Sequence, residues 1–262
     1  MGDRPARGVL TDAALLAAGT FTTIRVAAPS VVDRPRARVA MLLAPLAALP
    51  LSAAAAVVVA LGSAAGLPAL ITGALAVTAI ALGTRALHLD GLADTVDGLA
   101  APYDRSRRLA IMKSGDVGPA GVVALVVVLL IQAAGLGTVA SRPYGWLLVG
   151  VLVCVSRAAV VAPCASPVPP ATTGGLGAAV ARSVPLPAAV GVAVVAAAAV
   201  GLASAAGAAP WWQGAAAVVV AAAVVVILVR RAVALLGGIT GDVVGACVEV
   251  ALTVLCVVVA AA

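Results

Sequence analysis

Charge is what this sequence has least of. Charged residues make up 10% of the chain, against about 25% in an ordinary soluble domain. That shortage excludes a conventional soluble enzyme. Aromatic residues are 2%, and histidine occurs once, as His88. The four cysteines, Cys154, Cys164, Cys247 and Cys256, form no Cys-x-x-Cys pair. This excludes a zinc ribbon or a thioredoxin-type motif, and the cysteines read as small buried hydrophobes. Walker A loops and Ser-His-Asp constellations are also missing. The N-terminus is Arg-bearing and mildly amphipathic and does not read as a cleavable secretory signal. A net charge of +6 would suggest nucleic acid in a soluble protein. Here the positive-inside rule explains the excess Arg better, and no nucleic-acid partner is expected.

What remains is apolar: hydrophobic residues are 64% of the chain. Seven apolar runs fall at about 39–61, 67–87, 117–136, 144–163, 185–206, 211–229 and 243–262. Each is long enough to cross a hydrocarbon core of roughly 30 Å as a helix. Many are Val-rich, but in lipid each backbone group must be satisfied within its own segment, so helix prevails. The runs do not alternate, which excludes a β-barrel. The expectation is an all-α, polytopic membrane helical bundle of about seven transmembrane helices. Run 39–61 holds Pro45 and Pro50 and predicts a kinked helix. Residues 1–38 read as a cytoplasmic or interfacial segment, with a short helix over Thr11–Thr20 capped by Thr11 or Asp12. Residues 39–262 read as the integral membrane catalytic domain. With the N-terminus cytoplasmic, all Arg and Lys except Arg142, and all ten acids, fall on or nearest the inner side. Trp146, Trp211 and Trp212 then fall near the outer ends, as interfacial anchors do.

Against that background the run Arg85–Gly98 stands out. It carries Asp90, Asp94 and Asp97, plus His88. As a helix continuing run 67–87, it puts the three carboxylates within an arc of about 60°. Like charges so spaced repel one another unless a cation lies among them. Carboxylate oxygens suit Mg²⁺, which shares its shell with water and phosphate oxygens. The bland alternative is a solvated acidic helix end. Arg105, Arg107, Arg108 and Lys113 follow, as phosphate binding requires, although basic inner loops are routine. His88 lies about 160° from Asp90 on a regular helix, so a structural hydrogen bond competes with catalysis there.

A second polar cluster is Gly237-Gly-Ile-Thr240-Gly-Asp242, followed by Glu249. Paired glycines allow close approach of backbone to a ligand. Asp242 and Glu249 share a helix face, and Glu249 lies roughly 10 Å inside the last helix. An ionisable group at that depth needs a partner or a cation. Arg157 is the candidate partner, with snorkelling to the interface as its alternative. Gly175 and Gly177 offer backbone N–H groups to phosphate, a weak signal alone. The active-site segments are thus 85–121 and 237–249.

These motifs resemble a known family. The run His88-Leu-Asp-Gly-Leu-Ala-Asp-Thr-Val-Asp-Gly-Leu99, with Ile111-Met-Lys-Ser-Gly-Asp-Val-Gly-Pro-Ala-Gly121, closely resembles the hallmark of cobalamin synthases. These are the adenosylcobinamide-GDP ribazoletransferases, or cobalamin 5′-phosphate synthases. Phe21-Thr-Thr-Ile-Arg-Val26, Gly175-Leu-Gly177 and Gly238-Ile-Thr-Gly-Asp-Val-Val-Gly-Ala246 fit in order, so the resemblance spans nearly the whole chain. In this chain Ser114 and Gly115 separate Lys113 from the next acid, Asp116. The resemblance implies a late step of cobalamin (vitamin B12) biosynthesis with Mg²⁺ as cofactor. Adenosylcobinamide-GDP and α-ribazole, or its 5′-phosphate, give adenosylcobalamin, or its 5′-phosphate, and GMP. Asp90, Asp94, Asp97, Asp242 and Glu249 are the expected metal ligands. Asp94, Asp97, Asp242, Lys113 and His88 are the expected catalytic residues. Arg105, Arg107, Arg108, Gly175, Gly177, Arg157 and Thr240 are expected to bind substrate. The implied setting is the cytoplasmic membrane, with a multi-pass chain in the lipid bilayer and the active site facing the cytoplasm. A homodimer stays open.

Asp94-x-x-Asp97-Gly98-x-x-Ala101, then Gly238-x-x-x-Asp242, is also partly similar to the acid-rich motif of CDP-alcohol phosphatidyltransferases. Pro102 stands where their Arg would be. That is an analogy of chemistry and supplies one rival, a lipid phosphotransferase. A small corrinoid permease is the other. Transporters place ionisable groups near the midplane within repeats, and no clear repeat is visible here.

Overall fold

The computed structural model describes residues 7–261, so Asp3 and Arg4 of the N-terminal segment lie outside the described residues. The chain is an all-α membrane helical bundle. Among the described residues there is no strand, only isolated bridges pairing Ala165 with Val184 and Pro170 with Ile239.

Helices α1 (Val9–Phe21), α2 (Arg34–Leu42), α3 (Ala44–Ala47) and α4 (Leu49–Ala64) open the fold. α1 covers the short helix expected over Thr11–Thr20, and α2, α3 and α4 replace the single kinked helix expected over 39–61. Pro45 and Pro50 each occupy the first turn of a new helix, the position where a missing N–H does least harm. α2 runs across residue 38, so the N-terminal segment is built into the bundle. Asp12 does not cap α1. It is fully buried, accepts hydrogen bonds from the Ser30 backbone and hydroxyl, and pairs with Arg36 at 3.0 Å. Those contacts hold its carboxyl below the usual range, the Ser30 hydroxyl contributing most.

α5 (Ala69–Thr84) and α6 (Leu87–Ala100) meet at a 92° bend. The expected continuous helix through Arg85–Gly98 therefore does not form. Arg85 and Ala86 both adopt left-handed backbone, with φ 54° and 55°, a conformation costing an ordinary residue about 1–2 kcal/mol. The Thr23 N–H, donating to the Gly83 carbonyl at 2.8 Å, ties the N-terminal segment to this corner.

After α7 (Arg105–Ile111) come α8 (Pro119–Ala140) and α9 (Gly145–Ser156), which runs into a 3₁₀ turn (Arg157–Val161). α10 (Gly175–Val180), α11 (Leu186–Ala206), α12 (Trp211–Leu236) and α13 (Gly241–Ala260) complete the chain. Four of these, α8, α11, α12 and α13, are long and apolar enough to cross a membrane alone; α5 with α6 is a fifth candidate if counted as one broken span. α4 and α9 match two further expected runs but are shorter apolar helices. The core around α13 explains the order. In its most apolar stretch 72% is buried, against 28–33% for α8, α11 and α12, so α13 is the central post. α5 and α8 pack closely because Gly73 and Gly137 carry no side chain; a Cβ on either would overlap the carbonyl of Ala133 or Ala69. Trp146, Trp211 and Trp212 lie exposed at the start of α9 and α12, away from the α6 acids.

Candidate active site

α6 lies over the first turns of α8 and α13. Two glycines permit this. A Cβ on Gly91 would stand 2.8 Å from the Asp242 carbonyl oxygen, and one on Gly245 would stand 3.3 Å from the Cα of His88. Backbone contact therefore brings the acid helix against Asp242. Asp90 is exposed, Asp94 half-buried, and Asp242 half-buried in the first turn of α13. Burial, then the charges of Asp90, Asp242 and Asp97, push the Asp94 carboxyl up to about 6. Asp90, Asp94 and Asp242, from two distant segments, thus lie within electrostatic range of one another.

Asp97 has a different place in it. It is 9% exposed, and its oxygens accept from Gly118 N–H at 2.7 Å and Gly121 N–H at 2.8 Å. It satisfies free amides at the start of α8, where a carboxylate also meets the favourable end of the helix dipole. That pair of contacts fixes α8 against α6. Glu249 is also drawn away from the cluster. It is buried two turns further along α13 and accepts from the Gln132 side chain at 2.9 Å. Arg157 is fully buried and donates to the Val153 carbonyl and the Ser156 hydroxyl. It faces Glu249 only at electrostatic range, without a direct ion pair. It neither snorkels nor reaches the cleft.

The basic loop divides in the same way. Arg108 donates to the carbonyls of Gly98, Leu99 and Tyr103, closing the C-terminal end of α6. Arg105 donates to the Ala171 carbonyl at 2.7 Å and packs on Gly237. Arg107 sits 6.0 Å over the Tyr103 ring. Two of the three expected phosphate-binding arginines therefore hold backbone. Lys113 is exposed and lines a cleft.

That cleft has a volume of about 480 Å³. Lys113, Thr240 and Asp242 form its polar side; Thr172, Thr173 and Gly174–Gly177 form its rim. Phe21, Leu109, Met112 and Leu176 supply an apolar wall; three of them stand inside the motif segments, where only their polar and glycine neighbours signalled a site. His88 lines the cleft too, its ring 5.7 Å from Phe21, and neither ring nitrogen bonds to another described residue. Thr240 caps α13 and donates to Asp242 at 3.1 Å, so it aims that carboxylate. Gly177 packs on Thr240, while Gly175 (φ 82°) stands open at the rim. The paired glycines Gly237 and Gly238 serve the fold: Gly237 ends α12 in left-handed backbone, and Gly238 lies against Pro169–Ala171.

Among the described residues no three acid, His or Cys side chains form a ready metal cage. Mg²⁺ does not require one, since it is commonly held by one or two carboxylates, waters and substrate phosphates. Asp90, Asp94 and Asp242 are hard oxygen donors whose mutual repulsion a cation relieves, and they fit it on that ground.

The family model for cobalamin-5-phosphate synthase matches residues 13–260. An adenosylcobinamide-GDP ribazoletransferase of Nocardioides sp. is 50% identical over 93% of this chain and 96% of its own length. Another, from Bradyrhizobium diazoefficiens, is 35% identical over 94% of this chain and 91% of its own. No solved structure matches. A match over nearly the entire length, with both acid segments inside it, means that the chain belongs to the cobalamin-5-phosphate synthase family.

Proposed function

We propose that this chain joins adenosylcobinamide-GDP to α-ribazole or its 5′-phosphate. The products are adenosylcobalamin or its 5′-phosphate and GMP, late in cobalamin biosynthesis. The observation that carries the reading is the meeting of Asp90 and Asp94 with Asp242 beside a cleft lined by Lys113. Family membership supplies the substrates.

The reaction displaces GMP from a pyrophosphate. A ribazole hydroxyl oxygen bonds to the phosphorus attached to the cobinamide arm. The bond from that phosphorus to the bridging oxygen breaks, GMP leaves with the oxygen, and the hydroxyl proton passes to solvent or a nearby carboxylate. Such transfers depend on alignment and on neutralising charge. Asp90, Asp94 and Asp242 would hold Mg²⁺, which supplies positive charge to the phosphate oxygens. Lys113 neutralises further charge from the cleft side, where its three donors act as a point charge. Thr240 keeps Asp242 oriented, and Asp97 keeps α8 and α6 in register. We place this end of the bundle at the cytoplasmic face of the cell membrane. Support comes from the Arg and Lys that gather near it and from the tryptophans at the other end.

Purified protein in detergent, given Mg²⁺ and both substrates, is expected to release one GMP per corrinoid product, read by chromatography. Omission of either substrate abolishes release. A complete mixture yielding no GMP contradicts the reading, and release in detergent, where no compartments exist, excludes pure transport.

A further inference from the structure

Two substrates must meet at this site, and the cleft has room for one. At about 480 Å³ it lies within the roughly 300–1,000 Å³ range of pockets that enclose a single small ligand. A corrin ring and a nucleoside diphosphate together do not fit. Which partner enters is decided by the chemistry of the walls.

One side is apolar. Phe21, Met112, Leu109 and Leu176 face the space, the first two buried. A guanine has a polar edge of amide and amine groups, and a site that selects it must answer that edge with hydrogen bonds. No Asn, Gln or Glu lines the cleft among the described residues, and its one carboxylate, Asp242, stands on the acid-cluster side. Laid against the Phe21, Leu109, Met112 and Leu176 wall, guanine leaves polar groups against hydrocarbon, at a cost. A flat fused-ring base without an amide edge loses nothing there and gains apolar contact.

Orientation follows from Asp242, which belongs both to the cleft lining and to the acid cluster. A nucleoside with its base on the Leu109–Leu176 wall presents its ribose hydroxyls toward Asp242 and Lys113. A pyrophosphate held at Asp90 and Asp94 then lies outside the cleft, next to those hydroxyls. The large corrin stays in the open, beyond the enclosed volume.

We propose that the cleft is the seat of the acceptor nucleoside, its base against Phe21, Leu109, Met112 and Leu176, and that the GDP arm of the donor lies outside it along α6. This rests on the function proposed above and deepens it. Leu176 is the residue to test, because it is only partly buried and caps the wall. Leu176→Asn places an amide where the base lies, and Leu176→Met keeps the volume and the apolar character.

With each substrate varied in turn, Leu176→Asn is expected to raise KM for α-ribazole roughly tenfold or more. KM for adenosylcobinamide-GDP stays within about twofold of wild type, and Leu176→Met restores the ribazole value. Equilibrium dialysis of α-ribazole without donor is expected to show the same loss and rescue. A rise in KM for the GDP-bearing donor with ribazole unchanged overturns the assignment, as does no change in either. The dialysis separates this inference from the function it rests on. If wild type released no GMP, Leu176-sensitive ribazole binding would still support the nucleoside seat, and absent binding would overturn it.

Discussion

Asp94→Asn is expected to lower turnover by about 10²–10³-fold, the scale of losing one electrostatic contact to a charged transition state. The folded protein survives the change. Asp94 lies among Asp90, Asp97 and Asp242, which together with burial push its carboxyl up to about 6. An acid whose pKa is raised by folding favours the folded state while protonated. That contribution is complete below about pH 4 and is lost as pH rises through about 6. Metal-free wild type is therefore expected to melt at a lower temperature at pH 7 than at pH 4.5 on this group's account. Asp94→Asn is expected to flatten that window and to melt no lower than wild type at pH 7. Asp94 is only half-buried, so solvent screening keeps the effect small. Thermal melts in detergent with a chelator, beside GMP-release rates, check both halves. Normal turnover, or a melting point several degrees below wild type at pH 7, contradicts the role given to Asp94.

Gly91→Val is expected to reduce kcat by about 10²-fold while leaving the helix content intact. A Cβ at this position would stand 2.8 Å from the Asp242 carbonyl oxygen and 3.0 Å from its Cα. Both are backbone atoms at the head of the central helix, so neither swings aside as a side chain would. α6 must lift from α13, and the acids of the two helices separate. A displacement near 1 Å at a reacting centre costs about that factor in rate. Gly91→Ala is expected to show a smaller loss. KM for α-ribazole changes little, because the Leu109–Leu176 wall is not built by this contact. Steady-state kinetics with circular dichroism decide the matter; normal kcat in Gly91→Val means that helix spacing does not set the chemistry.

The sequence made the acids conspicuous because almost nothing else in it is charged. Helical spacing placed Asp90 and Asp94 on one face, and the later Gly-Ile-Thr-Gly-Asp motif pointed to Asp242. What spacing does not reveal is competition for a side chain. Asp97 shares the stripe, yet the free amides of Gly118 and Gly121 claim it. Arg105 and Arg108 follow the acids as phosphate ligands would, yet carbonyls at Ala171 and at the end of α6 hold them. A cation serves a helix C-terminus as readily as a phosphate, and order along the chain does not separate the two. Glu249 was expected to need a partner inside the bundle, and it found Gln132 rather than a direct contact with Arg157.

The bend after α5 was hidden for another reason. Neither Arg85 nor Ala86 is a residue that breaks helices, and their left-handed backbone accompanies the packing of α6 on α8 and α13, which local sequence does not show. Pro45 and Pro50 signalled a kink, but not that the run would divide into three helices. Apolar runs show which residues avoid water and leave helix ends unmarked, so the expected set of seven spans resolved into helices of unequal length. The cleft wall was hidden because Phe21, Leu109, Met112 and Leu176 come from three parts of the chain, and as apolar residues they carry no sign of facing a ligand rather than the core.

The central claim is that Asp94 and Asp242, from distant segments, hold one divalent cation with the substrate pyrophosphate. Mn²⁺ binding followed by electron paramagnetic resonance, with adenosylcobinamide-GDP present, tests it most directly. Wild type is expected to bind Mn²⁺ in a donor-dependent manner, and Asp94→Asn and Asp242→Asn are each expected to weaken that binding by tenfold or more. Unchanged Mn²⁺ affinity in both variants would contradict the account.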